Sequence, residues 1–134
     1  MNYKLLIVDD EPQMLQLLRI ELGTAGYEVM TAKAGREAVD KAKNLKPHLI
    51  LMDILLPDMN GADVVKTLRA DPLTKFIPVI FLTALMKKEE ENIEQTIKVD
   101  DFYYDSIAKP LNPELLLNKI KRTLGQPPVL KVHY

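Results

Sequence analysis

The 134-residue chain is long enough for one domain with a core of its own, and its lack of cysteine excludes thiolate chemistry, cysteine-ligated zinc and a disulfide scaffold. Its 18 basic and 19 acidic residues leave a net charge of -1 spread along the chain, which argues against direct nucleic acid binding. No apolar run approaches the roughly 20 residues that span a bilayer, and Met1 to Lys4 leads directly into a strand without a signal peptide, so no membrane association and a cytoplasmic location are expected.

Lys4 to Val8 reads as a continuous apolar strand ending on Asp9-Asp10-Glu11. Pro12 then opens a helix, where its missing N–H costs nothing, and Met14, Leu15, Leu18 and Leu22 share one face before Gly23 or Gly26 ends it. Tyr27 to Ala32 is a second strand, and Ala34 to Asn44 a second helix with Ala38, Ala42 and Leu45 inward. Pro47 stops that helix ahead of Leu49 to Asp53, an apolar strand whose last residue emerges into a Pro/Asn/Gly loop. Asn60 is the expected N-cap of a third helix with Val64, Val65 and Leu68 buried, broken by Asp71-Pro72. Pro78 to Thr83 is a fourth strand, Lys87 to Val99 a fourth and more polar helix, and a fifth strand lies within Phe102 to Ala108. Asn112 caps the last helix, with Pro113 at its first position and Leu116, Leu117, Ile120 and Leu124 inward. Lys119, Lys121 and Arg122 read as a solvated face near that helix's end, His48 and His133 as exposed, and Phe102, Tyr103 and Tyr104 as strand packing.

Five strands alternating with five helices specify a parallel sheet covered on both faces, a three-layer α/β/α fold. In such a sheet the strand ends meet along one edge, which brings together Asp9 and Asp10, Asp53, Thr83 and Lys109. Several carboxylates in one crevice repel unless paired, so a hard divalent cation is their natural partner, and Mg2+ suits a few carboxylates, retained waters and a phosphate oxygen. A carboxylate can also attack phosphorus to give an aspartyl phosphate, with a lysine and a hydroxyl donor stabilising the transferred oxygens.

Ile7-Val8-Asp9-Asp10-Glu11, Met52-Asp53 with Leu56-Pro57-Asp58-Met59-Asn60-Gly61, Leu82-Thr83-Ala84 and Ala108-Lys109-Pro110 stand in one order, and with them the chain resembles the receiver domain of a two-component response regulator. The resemblance covers residues 1 to 124 and implies the flavodoxin-like strand order 2-1-3-4-5, leaving 125 to 134 as a C-terminal tail or the start of a linker. It implies Asp53 as phospho-acceptor, and Mg2+ held by Asp10, Asp53, the Leu55 backbone carbonyl and, mostly through water, Asp9. Thr83 would bond the phosphoryl group, Lys109 would pair with it, and the Lys109–Pro110 bond would be cis. The implied partners are a sensor histidine kinase or phosphotransfer protein and a downstream protein target or effector domain. The face of helix four, strand five and helix five is the implied surface for partners or a homodimer.

The implied function is a phosphorylation-dependent switch that catalyses only its own phosphorylation and dephosphorylation. One position departs from the family pattern: Ser106 stands where an aromatic is usual, three residues before Lys109, so either a neighbouring tyrosine substitutes after a register change or signalling proceeds without it. A Mg2+-dependent aspartyl-nucleophile phosphohydrolase is the alternative, but Leu55 occupies the position where that class places its second carboxylate. A nucleotide- or flavin-binding domain is disfavoured because Asp-Asp-Glu-Pro, not a glycine-rich phosphate loop, follows the first strand.

Overall fold

The computed structural model describes residues 2–84 and 96–127. β1 (Lys4–Val8), β3 (Leu49–Asp53) and β4 (Val79–Thr83) form the centre of the sheet and are buried along almost their whole length. Their unbroken apolar runs are what a strand covered on both faces requires. β2 (Glu28–Ala32) lies outside β1, and β6 (Phe102–Ala108) outside β4, all in parallel register. β5 (Thr96–Val99) closes the far edge antiparallel to β6, giving the order β2-β1-β3-β4-β6-β5.

Helices α1 (Pro12–Thr24) and α4 (Pro113–Leu124) cover one face, where Leu15, Leu18, Leu22, Leu116 and Ile120 pack on Leu5, Ile7, Leu51, Leu82 and Ile107. On the other face α2 (Gly35–Leu45) and α3 (Gly61–Ala70) bring Ala38, Ala42, Val64, Val65 and Leu68 onto Leu6, Val8, Ile50, Met52 and Phe81. Alternate residues of each strand thus serve opposite cores, as the two-residue period dictates. Asn60 and Asn112 cap α3 and α4 as expected, each side chain accepting from backbone N–H groups of the first turn.

The parallel strands keep the flavodoxin-like order 2-1-3-4-5 with β6 standing fifth, but the antiparallel β5 makes the described sheet six-stranded, not five. The expected fourth helix, Lys87 to Val99, is corrected over its last four residues. Thr96–Val99 is a strand, and the remainder, 87–95, lies outside the described residues. Among the described residues there are four helices. Thr96 to Val99 carries β-branched Thr, Ile and Val, with Ile97 and Val99 turned to the core and Thr96 and Lys98 exposed. Two residues, Asp100 and Asp101, then connect it to β6, with Asp100 in the left-handed region at φ 54°. The hairpin exposes Phe102 and Tyr103 rather than packing them, and only Tyr104 of the three is turned inward.

Three side chains depart from expectation on the helices and at the start of β3. Leu45 is largely exposed at the end of α2, and Lys119 is buried within α4 at 7% exposure, not solvated. Its ammonium has no hydrogen-bond partner. His48 is half-buried: its Nδ1 accepts the Lys4 N–H at 2.9 Å and its ring meets Tyr3 edge-on. No helix among the described residues is long and apolar enough to cross a membrane.

One buried hydroxyl ties the loop after α3 back to the helix. Thr74, fully buried, donates from Oγ1 to the Leu68 carbonyl at 2.7 Å, beside the longer bond of 3.4 Å that this carbonyl accepts from the Asp71 N–H at the helix end. Thr74→Val keeps the shape and removes the donor, and is expected to cost about 1 to 2 kcal/mol in urea unfolding. An unchanged midpoint would mean that the Asp71 N–H suffices for this carbonyl.

Candidate functional site

The carboxyl edge of the sheet collects the acidic residues, and two ladders run one residue past their strands there. Asp9 donates its N–H to the Ala32 carbonyl at 3.1 Å, and the Lys109 N–H reaches the Thr83 carbonyl at 2.8 Å. Register places Val8 beside Met52, Asp53 beside Leu82 and Thr83 beside Ala108, so Asp9, Asp53, Thr83 and Lys109 surround one crevice.

Asp9 is completely buried. Its Oδ1 accepts the Glu11 N–H at 2.9 Å and its Oδ2 the Lys109 ammonium at 2.8 Å. The same ammonium donates to Asp53 Oδ2 at 3.1 Å, while Asp53 Oδ1 accepts the Leu55 N–H at 3.2 Å. Glu11 stands 3.9 Å from Lys109 Nζ and is the more exposed, weaker member of the group. Burial alone would pull the Lys109 pKa down, but its hydrogen bonds to Asp9 and Asp53 outweigh this and hold it above its ordinary value of 10.5.

Asp9, Asp10 and Asp53 each offer an oxygen within 4.8 Å of the others. Three carboxylates against one ammonium leave two negative charges uncompensated, and Asp10 has no hydrogen-bond or ion-pair partner among the described residues. This donor set, oxygen-only and doubly negative, fits a hard divalent cation such as Mg2+. Thr83 is buried at the end of β4 beside the cluster. Lys109–Pro110 is cis, in agreement with expectation.

A search against family models matches residues 5–121 to the response regulator receiver domain. The chain belongs to the receiver-domain family of response regulators. The receiver is 36% identical over 124 residues to the alkaline phosphatase synthesis transcriptional regulatory protein PhoP of Bacillus subtilis, covering 92% of this chain and 49% of that one. It is 38% identical over 122 residues to the phosphate regulon transcriptional regulatory protein PhoB of Pseudomonas aeruginosa, covering 90% and 51%. The chain therefore spans about half the length of the curated relatives it matches. Among solved structures it resembles a Vibrio cholerae chemotaxis protein at TM-score 0.79 and 35% identity, over 92% of this chain and 100% of that one. The receiver domain of a Pseudomonas aeruginosa sensor histidine kinase, determined with a magnesium ion coordinated in its active site cleft, matches at TM-score 0.79 and 28% identity, over 94% and 100%.

The aromatic position is resolved by register. Ser106 pairs with Phe81 in a regular parallel ladder and is buried, with no slip that would move a tyrosine into its place. Tyr104 lies two residues earlier on the same face, edge-on to Phe81 with centroids 5.8 Å apart, and its hydroxyl accepts from Arg69 Nε at 3.0 Å. What sequence reasoning missed is the role of Asp58, which stood there only within the Leu56 to Gly61 motif: its carboxylate caps α2.

Because Lys109 is raised in the folded state, its charged bridge contributes stability that is complete below about pH 10.5 and is lost as pH rises through the raised value. In metal-free protein the wild-type urea midpoint should fall more steeply above pH 10.5 than that of Lys109→Met. At neutral pH that variant, which strands the buried Asp9 carboxylate, should be about 3 kcal/mol less stable. Parallel pH profiles would show that the bridge does not set the alkaline limb.

Proposed function

We propose that this receiver accepts a phosphoryl group on Asp53 from a partner histidine kinase or phosphotransfer protein in a Mg2+-dependent reaction. The observation that carries the reading is the Lys109 ammonium held between Asp9 and Asp53 at 2.8 and 3.1 Å in a crevice that retains excess negative charge. Asp9, Asp10, Asp53 and the Leu55 backbone carbonyl would hold the ion, which when bound supplies charge stabilisation to the phosphoryl oxygens.

A carboxylate oxygen of Asp53 forms the new bond to phosphorus as the bond from phosphorus to the donor's imidazole nitrogen breaks, and the imidazole leaves with that electron pair. Lys109 then moves from sharing its protons with Asp53 to pairing with the added oxygens, and Thr83 donates its hydroxyl to another. Attack of water on the acyl phosphate regenerates Asp53, so the domain acts on itself and turns over no substrate of its own. The added charge of about -1.5 to -2 biases two packed arrangements of one fold. Its output goes to a separate protein or to an effector domain joined after residue 124, through the face built by β6 and α4. With Ser106 buried in register, that output does not use an aromatic at this position.

Incubation with Mg2+ and a small phosphodonor should give a single labile adduct by intact mass, absent without Mg2+ and absent in Asp53→Asn. A folded wild type that binds Mg2+ yet gains no adduct would sink the phospho-acceptor assignment.

A further inference from the structure

The loop between β3 and α3 is pinned at its base and again at its tip. Gly61 returns its N–H to the Ile54 carbonyl at 2.7 Å, and Leu55 bridges Asn60 in one antiparallel pair. A Cβ on Gly61 would come within 2.4 Å of the Asp53 carbonyl oxygen, so only glycine lets the loop close this tightly beneath Asp53. From the tip, Asp58 reaches a different helix: Oδ1 accepts the Gly35 N–H at 2.7 Å and Oδ2 the Arg36 N–H at 3.0 Å.

These are the first two residues of α2, whose own flanking residue, Ala34, provides no side-chain cap. The contacts, Arg36 first and then Gly35, hold the Asp58 carboxyl below its ordinary range. Met59 lies so close over Gly35 that a Cβ there would approach its Cγ within 2.3 Å. Leu55 itself is 62% exposed and anchors nothing by its side chain. Ile54 and Leu56 pack the outgoing limb on the core, while Asp58 and Met59 tie the returning limb to α2.

We propose that Asp58 is a positioning residue for the divalent cation: by capping α2 from the loop tip, it fixes the backbone that presents the Leu55 carbonyl. The inference rests on the Mg2+ reading above and adds a residue that touches neither ion nor phosphoryl group. A loop fixed beforehand does not have to be ordered when the ion binds, so its loss weakens binding rather than the chemical step.

Mg2+ titrations followed by backbone amide NMR shifts, beside adduct formation rates across Mg2+ concentrations, test this in wild type, Asp58→Ala and Asp58→Asn. Asp58→Ala should raise the Mg2+ Kd roughly tenfold, at the low end of effects seen for residues that orient metal ligands. Its rate at saturating Mg2+ should stay within about twofold of wild type. Asp58→Asn keeps one acceptor oxygen and should fall between. Gly35→Ala, whose Cβ would displace Met59 and press on Val64 while leaving the Asp58 side chain in the sequence, should shift the Kd in the same direction. An unchanged Kd in folded Asp58→Ala, whatever its thermal stability, overturns the proposal and leaves Asp58 as a helix cap only. Should Asp58→Ala fail to fold, the Asp58→Asn titration decides by the same criterion. A wild type that takes up no Mg2+ defeats the cation reading itself, whereas wild-type binding with unaltered variants defeats the positioning role alone.

Discussion

The Lys109 ammonium, donating to Asp9 and Asp53 together, is the interaction on which this edge of the molecule depends. A fully buried carboxylate such as Asp9 is sustainable only with partners on both oxygens, and it has them in the Glu11 N–H and Lys109. The bridge ties the ends of β1 and β3 to the residue that follows β6, spanning the sheet where no backbone ladder can. It covers only part of the negative charge. The remainder is charge of the kind that a hard divalent cation offsets.

Around this charge the fold supplies rigidity by backbone means. The ladders that continue from Asp9 and Lys109 fix both side chains from strand ends, not from free loops. The loop after Asp53 is tight at its base because Gly61 has no side chain, and is tied at its tip to α2. Beyond β6 the sheet is extended by a hairpin, and Tyr104 is held under Arg69 against Phe81, with Ser106 the small residue between it and the site.

Most of the architecture was legible because buried parallel strands write themselves as apolar runs and helices as capped, periodic stripes. The bounds of β1, β3 and β6 coincide with the expected segments, and Asn60 and Asn112 cap as read. Thr96 to Val99 was misread because four residues at the end of a polar segment cannot reveal their period, and the pairing with β6 that makes them a strand is a tertiary event. Lys119 was misread for a related reason: spacing places it beside Leu116 and Ile120, but burial of an ammonium is decided by what the neighbouring edge covers.

The residues at the functional edge were determined by sequence alone, since the polar residue that ends each apolar strand must emerge at the carboxyl side of a parallel sheet. Sequence also fixed their types: acceptor oxygens, one ammonium and one hydroxyl. Tertiary structure decided which of them touch. That Lys109 bridges Asp9 and Asp53 follows from strand register. That Asp58 caps a helix beginning 23 residues before it follows from the packing of a loop on α2. No local pattern encodes such contacts, because their partners are adjacent only after the sheet has formed.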